Sequence, residues 1–328
     1  MTTAEALAAV RAARTPADLF GPDHDVRRYR RLARLVHPDT GGTAAAFARL
    51  DEFWRAGAPA AGTVTVRTRR HSYELGAPFA RGDLATLYRS GPHLVKLARD
   101  PAANDLMDRE ARALRRLAAD GDERFRPYVP GFVEAFTHRD ARTGARRRTV
   151  VTRYVPGLRS LAEVHAAYPE GLDPRDAAWM WRRLLVALGL AHRCGLVHGA
   201  VLPEHVLIHP GEHGLVLVDW CHSTDLGATV PAMVAGRASW YPAEVAGRAP
   251  AGPATDLAMA ARCMAYLMGD RAPRPLRLFL RGCLAVNPAH RPQDAWRLLA
   301  ELDELLGRRY GPRRFRPFHL PAADRGHH

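Results

Sequence analysis

The sequence predicts an α+β protein, with a small N-terminal helical hairpin followed by a larger domain of two lobes. Three observations carry this. Between Asp23 and Ala56, apolar residues recur at helical spacing on both sides of a short turn. From about residue 63 to residue 155, short segments rich in β-branched and aromatic residues follow one another, broken by one helical stretch. Beyond Ser160 the periodicity is mostly helical. Strands first and helices second indicates segregated elements rather than an alternating βα fold. A length of 328 residues is enough for about two domains with a sizeable buried core.

The first helix of the hairpin, "DHDVRRYRRLARLV" (23–36), puts Val26, Tyr29, Leu32, Leu35 and Val36 on one face. Arg27, Arg28, Arg30, Arg31 and Arg34 surround the other. "HPDTGG" (37–42) then reads as a turn, because Pro38 ends the helix and two glycines permit positive φ. Thr43 is a candidate N-cap for the second helix, "TAAAFARLDEFWRA" (43–56), which lines up Phe47, Leu50 and Trp54 with Phe53 beside them. Two such helices on a short loop form an antiparallel pair. The combination of "YRRLARLVHPD" and "FARLDEFW" resembles a J domain of the DnaJ type over about residues 15–56. The resemblance implies that His37, Pro38 and Asp39, with Arg27, Arg28, Arg31 and Arg34, dock on a DnaK-type heat-shock ATPase and stimulate it. Positive charge on that face suits an acidic groove. The pattern departs from the family by ending at "AGAPAAG" (56–62), with no room for a further helix.

After that linker, "TVTVRTRR" (63–70), "SYELGAPF" (72–79), "LATLYRS" (84–90) and "HLVKLAR" (93–99) have the composition of an antiparallel sheet with short turns. A helix is expected over 103–119, followed by strands "GFVEAF" (131–136) and "RTVVTRYV" (148–155) around an exposed arginine-rich loop. The helical remainder is interrupted at 195–220, where short apolar runs suggest small strands. The expected boundaries are a helical domain over 1–56, a linker over 57–66, a first lobe over 67–154, a second over 155–306 and an arginine-aromatic tail over 307–328.

One lysine, Lys96, stands against 47 arginines. Arginine serves every other basic position, so a lysine here marks a place where a compact ammonium matters. A lysine on a third strand, followed by Glu110 on the next helix, is the arrangement of the protein-kinase small lobe. In order along the chain, residues 72–306 resemble a bacterial eukaryotic-like Ser/Thr protein kinase. "YVPG" (154–157) resembles the hinge, with Thr152 as gatekeeper and Tyr154 and Val155 along the adenine edge. "LVHGAVLPEHVLI" resembles the catalytic loop and the strand carrying Leu207, and Asp219, Trp220 and Cys221 stand at the metal-binding Asp-Phe-Gly. Glu244 of "WYPAE" should pair with Arg291, and Asp256 should brace the catalytic loop beside His198. The resemblance implies ATP or another nucleotide with Mg²⁺, held by Lys96, Glu110, Gly82, Thr152, Tyr154, Val155, Leu207 and Asp219.

The catalytic positions themselves have changed. His198 matches the first residue of His-Arg-Asp, but Gly199, Ala200 and Leu202 replace the Arg, the base Asp and the supporting Lys, and His205 replaces the metal-binding Asn. Ala200 accepts no proton, and a positioned base contributes roughly 10²- to 10⁴-fold. Glu204 is one candidate substitute base, and His205 is a second as well as a candidate metal ligand beside Asp219. Of the three glycines expected over the phosphates only Gly82 remains, with Ala80 and Ala85 at the other two. This division predicts a J-domain co-chaperone with a nucleotide-binding pseudokinase module that recruits a DnaK-type chaperone to a protein client. The alternatives are an active Ser/Thr kinase or other ATP-dependent transferase of kinase fold, and a nucleic-acid or acidic-protein binder acting through the tail.

Net charge is +14. Arginines are spread along the whole chain, however, and are concentrated only at 67–70, 141–148 and 307–318, which argues against direct nucleic-acid binding. The four cysteines show no CxxC pair and are expected to be reduced thiols. No apolar run approaches the roughly 18 to 20 residues that span a bilayer, and the N-terminus lacks a leader pattern, so a cytoplasmic protein with no membrane partner is expected.

Overall fold

The computed structural model describes residues 2–21, 25–37, 40–57, 64–140 and 143–321. The chain divides into two units, Met1–Arg67 with Glu74–Ala77, and Thr68–Tyr73 with Pro78–His328.

The first unit is helical: α1 (Thr3–Ala12), α2 (Pro16–Phe20), α3 (Val26–Val36) and α4 (Ala44–Gly57). Two helices thus precede the expected pair. The alanine-rich α1 shows little periodicity, but a reciprocal cap starts it, with Thr2 Oγ1 accepting from the Glu5 amide and Glu5 Oε2 from the Thr2 amide. The pattern of α2 is too short to read as a helix, and Asp18 holds its entry by accepting from the Arg14 and Thr15 amides. Both helices cover the apolar faces of α3 and α4, so that Ala6, Val10, Leu19, Phe20, Leu32, Val36 and Leu50 form one core. Trp54 stacks on Tyr29 at 4.5 Å and meets Phe20 edge-on at 5.1 Å. Thr43 Oγ1 accepts from the Ala46 amide and caps α4. Gly42 lies against the end of α3: a Cβ there would fall 2.0 Å from the Val36 carbonyl oxygen, so only glycine fits.

Strands β1 (Val64–Arg67), which falls in the first unit, and β2 (Ser72–Leu75) are followed in the second unit by a five-stranded antiparallel sheet. Its strands are β3 (Ala80–Arg81), β4 (Ala85–Ser90), β5 (His93–Ala98), β6 (Phe132–Arg139) and β7 (Arg146–Arg153), in the order β3-β4-β5-β7-β6. Strand β5 is central, and Lys96 lies opposite Leu87 on β4 and Val150 on β7. Helix α5 (Asn104–Asp120) packs on this sheet through Met107, Ala111, Leu114 and Leu117. Asn104 locks its start to β7 by donating to the Arg146 carbonyl and accepting from the Arg148 amide.

The remainder is mainly helical. Strand β8 (Arg159–Ser160) leads to α6 (Leu161–Ala167) and to α7 (Pro174–Arg193), which is buried along most of its length. Between α7 and the later helices lie four short strands, β9 (Leu196–Val197), β10 (Val206–His209), β11 (Gly214–Leu217) and β12 (Thr224–Asp225). Strand β10 pairs with β11 and β8, and β9 pairs with β12. Helices α8 (Ala243–Ala246), α9 (Pro253–Met268), α10 (Arg274–Cys283) and α11 (Ala295–Tyr310) complete the lobe, and α7 packs between α9 and α11. After α11 the tail returns to the start of α7. Phe318 is buried against Trp179 and Tyr168, Arg316 pairs with Asp173 and Asp176, and the Tyr168 hydroxyl donates to the His319 carbonyl. All four cysteines are buried free thiols. Among the described residues, no helix is long and apolar enough to cross a membrane.

Candidate functional site

Lys96, Glu110 and Asp219 come from β5, α5 and the end of β11, and the fold brings their charged atoms together. Lys96 Nζ lies 2.9 Å from Glu110 Oε2 and 2.6 Å from Asp219 Oδ1, and it donates to Cys221 Sγ at 3.3 Å. The ammonium thus donates to Asp219 and Cys221 and forms a close ion pair with Glu110. Burial disfavours the ammonium, but Asp219, Cys221 and Glu110 outweigh it and hold its pKa well above that of a free lysine. Burial also works against the Asp219 carboxylate, yet Lys96 and His205 hold it well below the usual carboxylate range. Burial and the neighbouring Glu110 push the Cys221 thiol up, so it stays protonated and donates to Glu110 Oε2 at 3.3 Å. Glu110, Asp219 and Cys221 are spaced as metal ligands would be. The Lys96 ammonium already occupies the middle of that group.

Asp219 sits in the left-handed region at φ 63°. The following Trp220 is fully buried, its indole N–H donating to the Leu217 carbonyl and its ring meeting His198 edge-on at 4.6 Å. A bulky, hydrogen-bonded side chain at this position pins the turn.

The loop at 198–205 is braced by α9. Asp256 at the start of α9 is fully buried and accepts from the His198 amide at 2.8 Å and the Gly199 amide at 2.9 Å. Burial pushes the His198 imidazole down to about 4. It bonds the Val218 carbonyl through Nε2 and accepts from the Ala200 amide at Nδ1. Gly199 has φ 74°, and a Cβ there would fall 2.6 Å from the His222 carbonyl oxygen. Arginine is excluded from that position by the backbone itself. Ala200 is fully buried.

His205 bonds the Ala200 carbonyl through Nδ1 at 2.9 Å and places Nε2 3.2 Å from Asp219 Oδ2. Glu204 is instead engaged by Arg237, from the segment preceding α8. Glu244 and Arg291 form a buried pair, with oxygens and nitrogens 2.5 and 3.1 Å apart. Gly82 lies at the tip of the β3–β4 hairpin, closed by its amide donating to the Ala85 carbonyl. Thr152 is on β7 opposite Leu94, Leu207 is on β10 opposite Val216, and Tyr154 and half-exposed Val155 follow β7.

Two members of this site were not assigned from the sequence. Cys221 stands at the glycine of the Asp-Phe-Gly position in the sequence and carries no expected role, yet its thiol meets both Lys96 and Glu110. His222, largely buried with Nδ1 bonded to the Ala232 carbonyl, lies close enough to feel the Asp219 charge. In the first unit, Arg28, Arg31 and Arg34 are exposed on α3, and the His37 ring meets Phe47 edge-on at 5.1 Å. Pro38, Asp39 and the Arg27 side chain lie outside the described residues.

The five-stranded lobe, the helical lobe and the lysine–glutamate–aspartate centre between them are those of the protein-kinase fold. Two solved forms of the Mycobacterium tuberculosis PknI kinase domain share it. A point mutant aligns with a TM-score of 0.56 at 18% identity, covering 76% of this chain and 100% of that one. The other form gives 0.54 at 18%, covering 71% and 96%. More narrowly, the chain belongs to the lipopolysaccharide kinase (Kdo/WaaP) family, whose pattern matches residues 51–224. That span includes Lys96, Glu110, Ala200, His205 and Asp219 and none of residues 1–50. Families of kinase-like fold generally use ATP with Mg²⁺.

Proposed function

We propose that this chain is an ATP-binding protein of kinase fold in which phosphoryl transfer is absent or slow. The observation that carries the reading is the formed Lys96–Glu110–Asp219 centre beside a fully buried Ala200 at the base position. A divalent cation fits the donor set: Asp219, with His205 beside it, would hold the ion, which would neutralise phosphate charge. A phosphate oxygen reaching Lys96 must compete with Asp219, Cys221 and Glu110, which already surround the ammonium. The test is thermal unfolding with ATP and a divalent cation. Nucleotide at 100 times Kd stabilises by ~2.7 kcal/mol, and Asp219→Asn and Lys96→Met should each abolish the shift. No shift in the wild type overturns the reading.

A second reading is an ATP-dependent transferase, favoured by the intact centre and by membership of a kinase family. The family's name points to a lipopolysaccharide acceptor. Transfer of γ-phosphate label to lipopolysaccharide or protein, lost in Asp219→Asn, supports it, and no transfer with Mg²⁺ or Mn²⁺ discards it. For the first unit, the exposed Arg28, Arg31 and Arg34 beside His37 support docking on a DnaK-type chaperone. Stimulation of a DnaK ATPase that is lost in His37→Gln is the expected result, and equal rates for both proteins reject the idea.

A further inference from the structure

We propose that the docked tail binds single-stranded nucleic acid, with Phe315 and Tyr310 stacking on bases and Arg309, Arg313 and Arg314 contacting phosphates. The inference is independent of the nucleotide-site reading above. Arginines spread along the whole chain say little by themselves, but the docked tail separates those already paired from those left over.

The tail is held at both ends. Gly311, at φ 76°, turns the chain out of α11 while its amide still donates to the Gly307 carbonyl. Pro312 and Pro317 fix two further φ angles. Downstream, Phe318 is buried against Trp179 and Tyr168, and Arg316 pairs with Asp173 and Asp176. Little ordering entropy therefore remains to be lost when a partner binds.

The charge left on it is of one sign. No acidic residue occurs from Leu305 to Ala323. Arg308 meets Glu304 on α11, and Arg175 and Arg316 share Asp173. Arg313 and Arg314 are exposed and make no ion pair among the described residues. Arg309 is exposed as well, its guanidinium 5.3 Å from the centre of the Tyr310 ring. These guanidiniums fit a polyanion.

The aromatic residues narrow the choice of polyanion. The rings of Trp179 and His213 stack at 4.1 Å with planes 9° apart, and Phe315 meets the same imidazole at 4.6 Å, tilted by 34°. The stack is buried at its indole end, with Trp179 6% exposed, and open at its phenyl end, with Phe315 69% exposed. A further flat ring can continue it. A phenyl held against an imidazole does not project into a bilayer as a free apolar side chain does, and a carboxylate-rich peptide would match the arginines but leave Phe315 and Tyr310 without a counterpart. Single-stranded nucleic acid supplies both, because every base has a π face and a phosphate accompanies each one.

The experiment follows anisotropy of a fluorescein-labelled oligothymidylate of about 15 nucleotides, titrated with the full chain. Saturable binding that weakens with salt is expected. Phe315→Ala should weaken it at least about fivefold, the low end for loss of one stacked base, with Tm unchanged because the ring is largely exposed. Phe315→Leu should weaken it equally, since leucine keeps apolar area but has no flat face. Arg313→Gln combined with Arg314→Gln should reduce the slope of log affinity against log salt by about 1.4, as for two single-strand phosphate contacts. No binding, binding unaltered in Phe315→Ala, or full binding by Phe315→Leu overturns the proposal. Tighter binding to phosphatidylglycerol vesicles, or equal displacement by poly-glutamate, assigns the surface to a membrane or an acidic protein and overturns it too. Excess ATP with Mg²⁺ should leave the strand bound; displacement would put the strand in the nucleotide site and reject the tail. Should the variants not fold, photocrosslinking of the wild type to a 5-iodouracil strand decides: crosslinks at Phe315 or Tyr310 are expected, and crosslinks confined to other regions overturn the proposal.

Discussion

His198 illustrates how a buried ring under the catalytic loop couples protonation to folding. Its ordinary value is 6.5, and in the folded chain burial pushes it to about 4. Between those values the unfolded chain takes up a proton that the folded chain refuses. Its contribution is therefore fully present above about pH 6.5 and is lost as pH falls toward 4, on the order of 3 kcal/mol across the window. Burial lowers His222 and His213 as well, so they add to the same slope. Urea unfolding at pH 7.5, 6.0 and 5.0 should show falling stability, with a shallower fall in His198→Gln. A flat wild-type profile would contradict this account. Lys96 works differently, because its charge is kept by three neighbours and does not titrate near neutrality.

A buried ion pair joins elements of the second lobe. Glu244 at the start of α8 meets Arg291 ahead of α11, with the two side chains 8% and 3% exposed. Arg291 also donates to the Ala285 and Val286 carbonyls, and Thr255 Oγ1 donates to Glu244. Removing one partner leaves the other charged and dry, which costs about 3 to 5 kcal/mol. Arg291→Ala should therefore lower Tm by many degrees, and pairing it with Glu244→Gln should recover part of the loss; a loss below about 1 kcal/mol would mean the pair is solvated. The same scale shows which elements were legible. Helices α3, α4 and α5 have apolar stripes that fix their buried faces, and β4 and β5 read as strands of an antiparallel sheet with a short turn between them. By contrast, α1 and α2 are not legible: half of α1 is alanine and its periodicity is weak, and α2 is five residues long, so neither has a clear period to detect. "TVTVRTRR" reads as one strand, yet β1 stops at Arg67 because Thr68 Oγ1 accepts from the Arg70 and His71 amides and turns the chain.

Across the second unit, the tail acts as a strap from the end of α11 back to α7. Phe318 is 5% exposed, whereas Phe315 is 69% exposed with its ring 4.6 Å from His213. Phe318→Ala should destabilise by about 3 kcal/mol by leaving a void against Trp179. Arg316→Ala, which removes only a partly exposed pair, should cost less than about 1 kcal/mol. Thermal unfolding of the two variants checks this order, and equal small losses would show the strap to be loosely held. The sequence by itself determined the strand-then-helix order, the arginine face of α3 and the importance of Lys96, because periodicity and composition act within a few residues. Only the tertiary structure decided that Lys96 meets Asp219, Glu110 and Cys221 together, that Gly199 leaves no room for arginine, and that His205 faces the second oxygen of Asp219. Lys96 and Asp219 lie 123 residues apart, and no local pattern encodes which oxygen of a carboxylate a distant ammonium will hold.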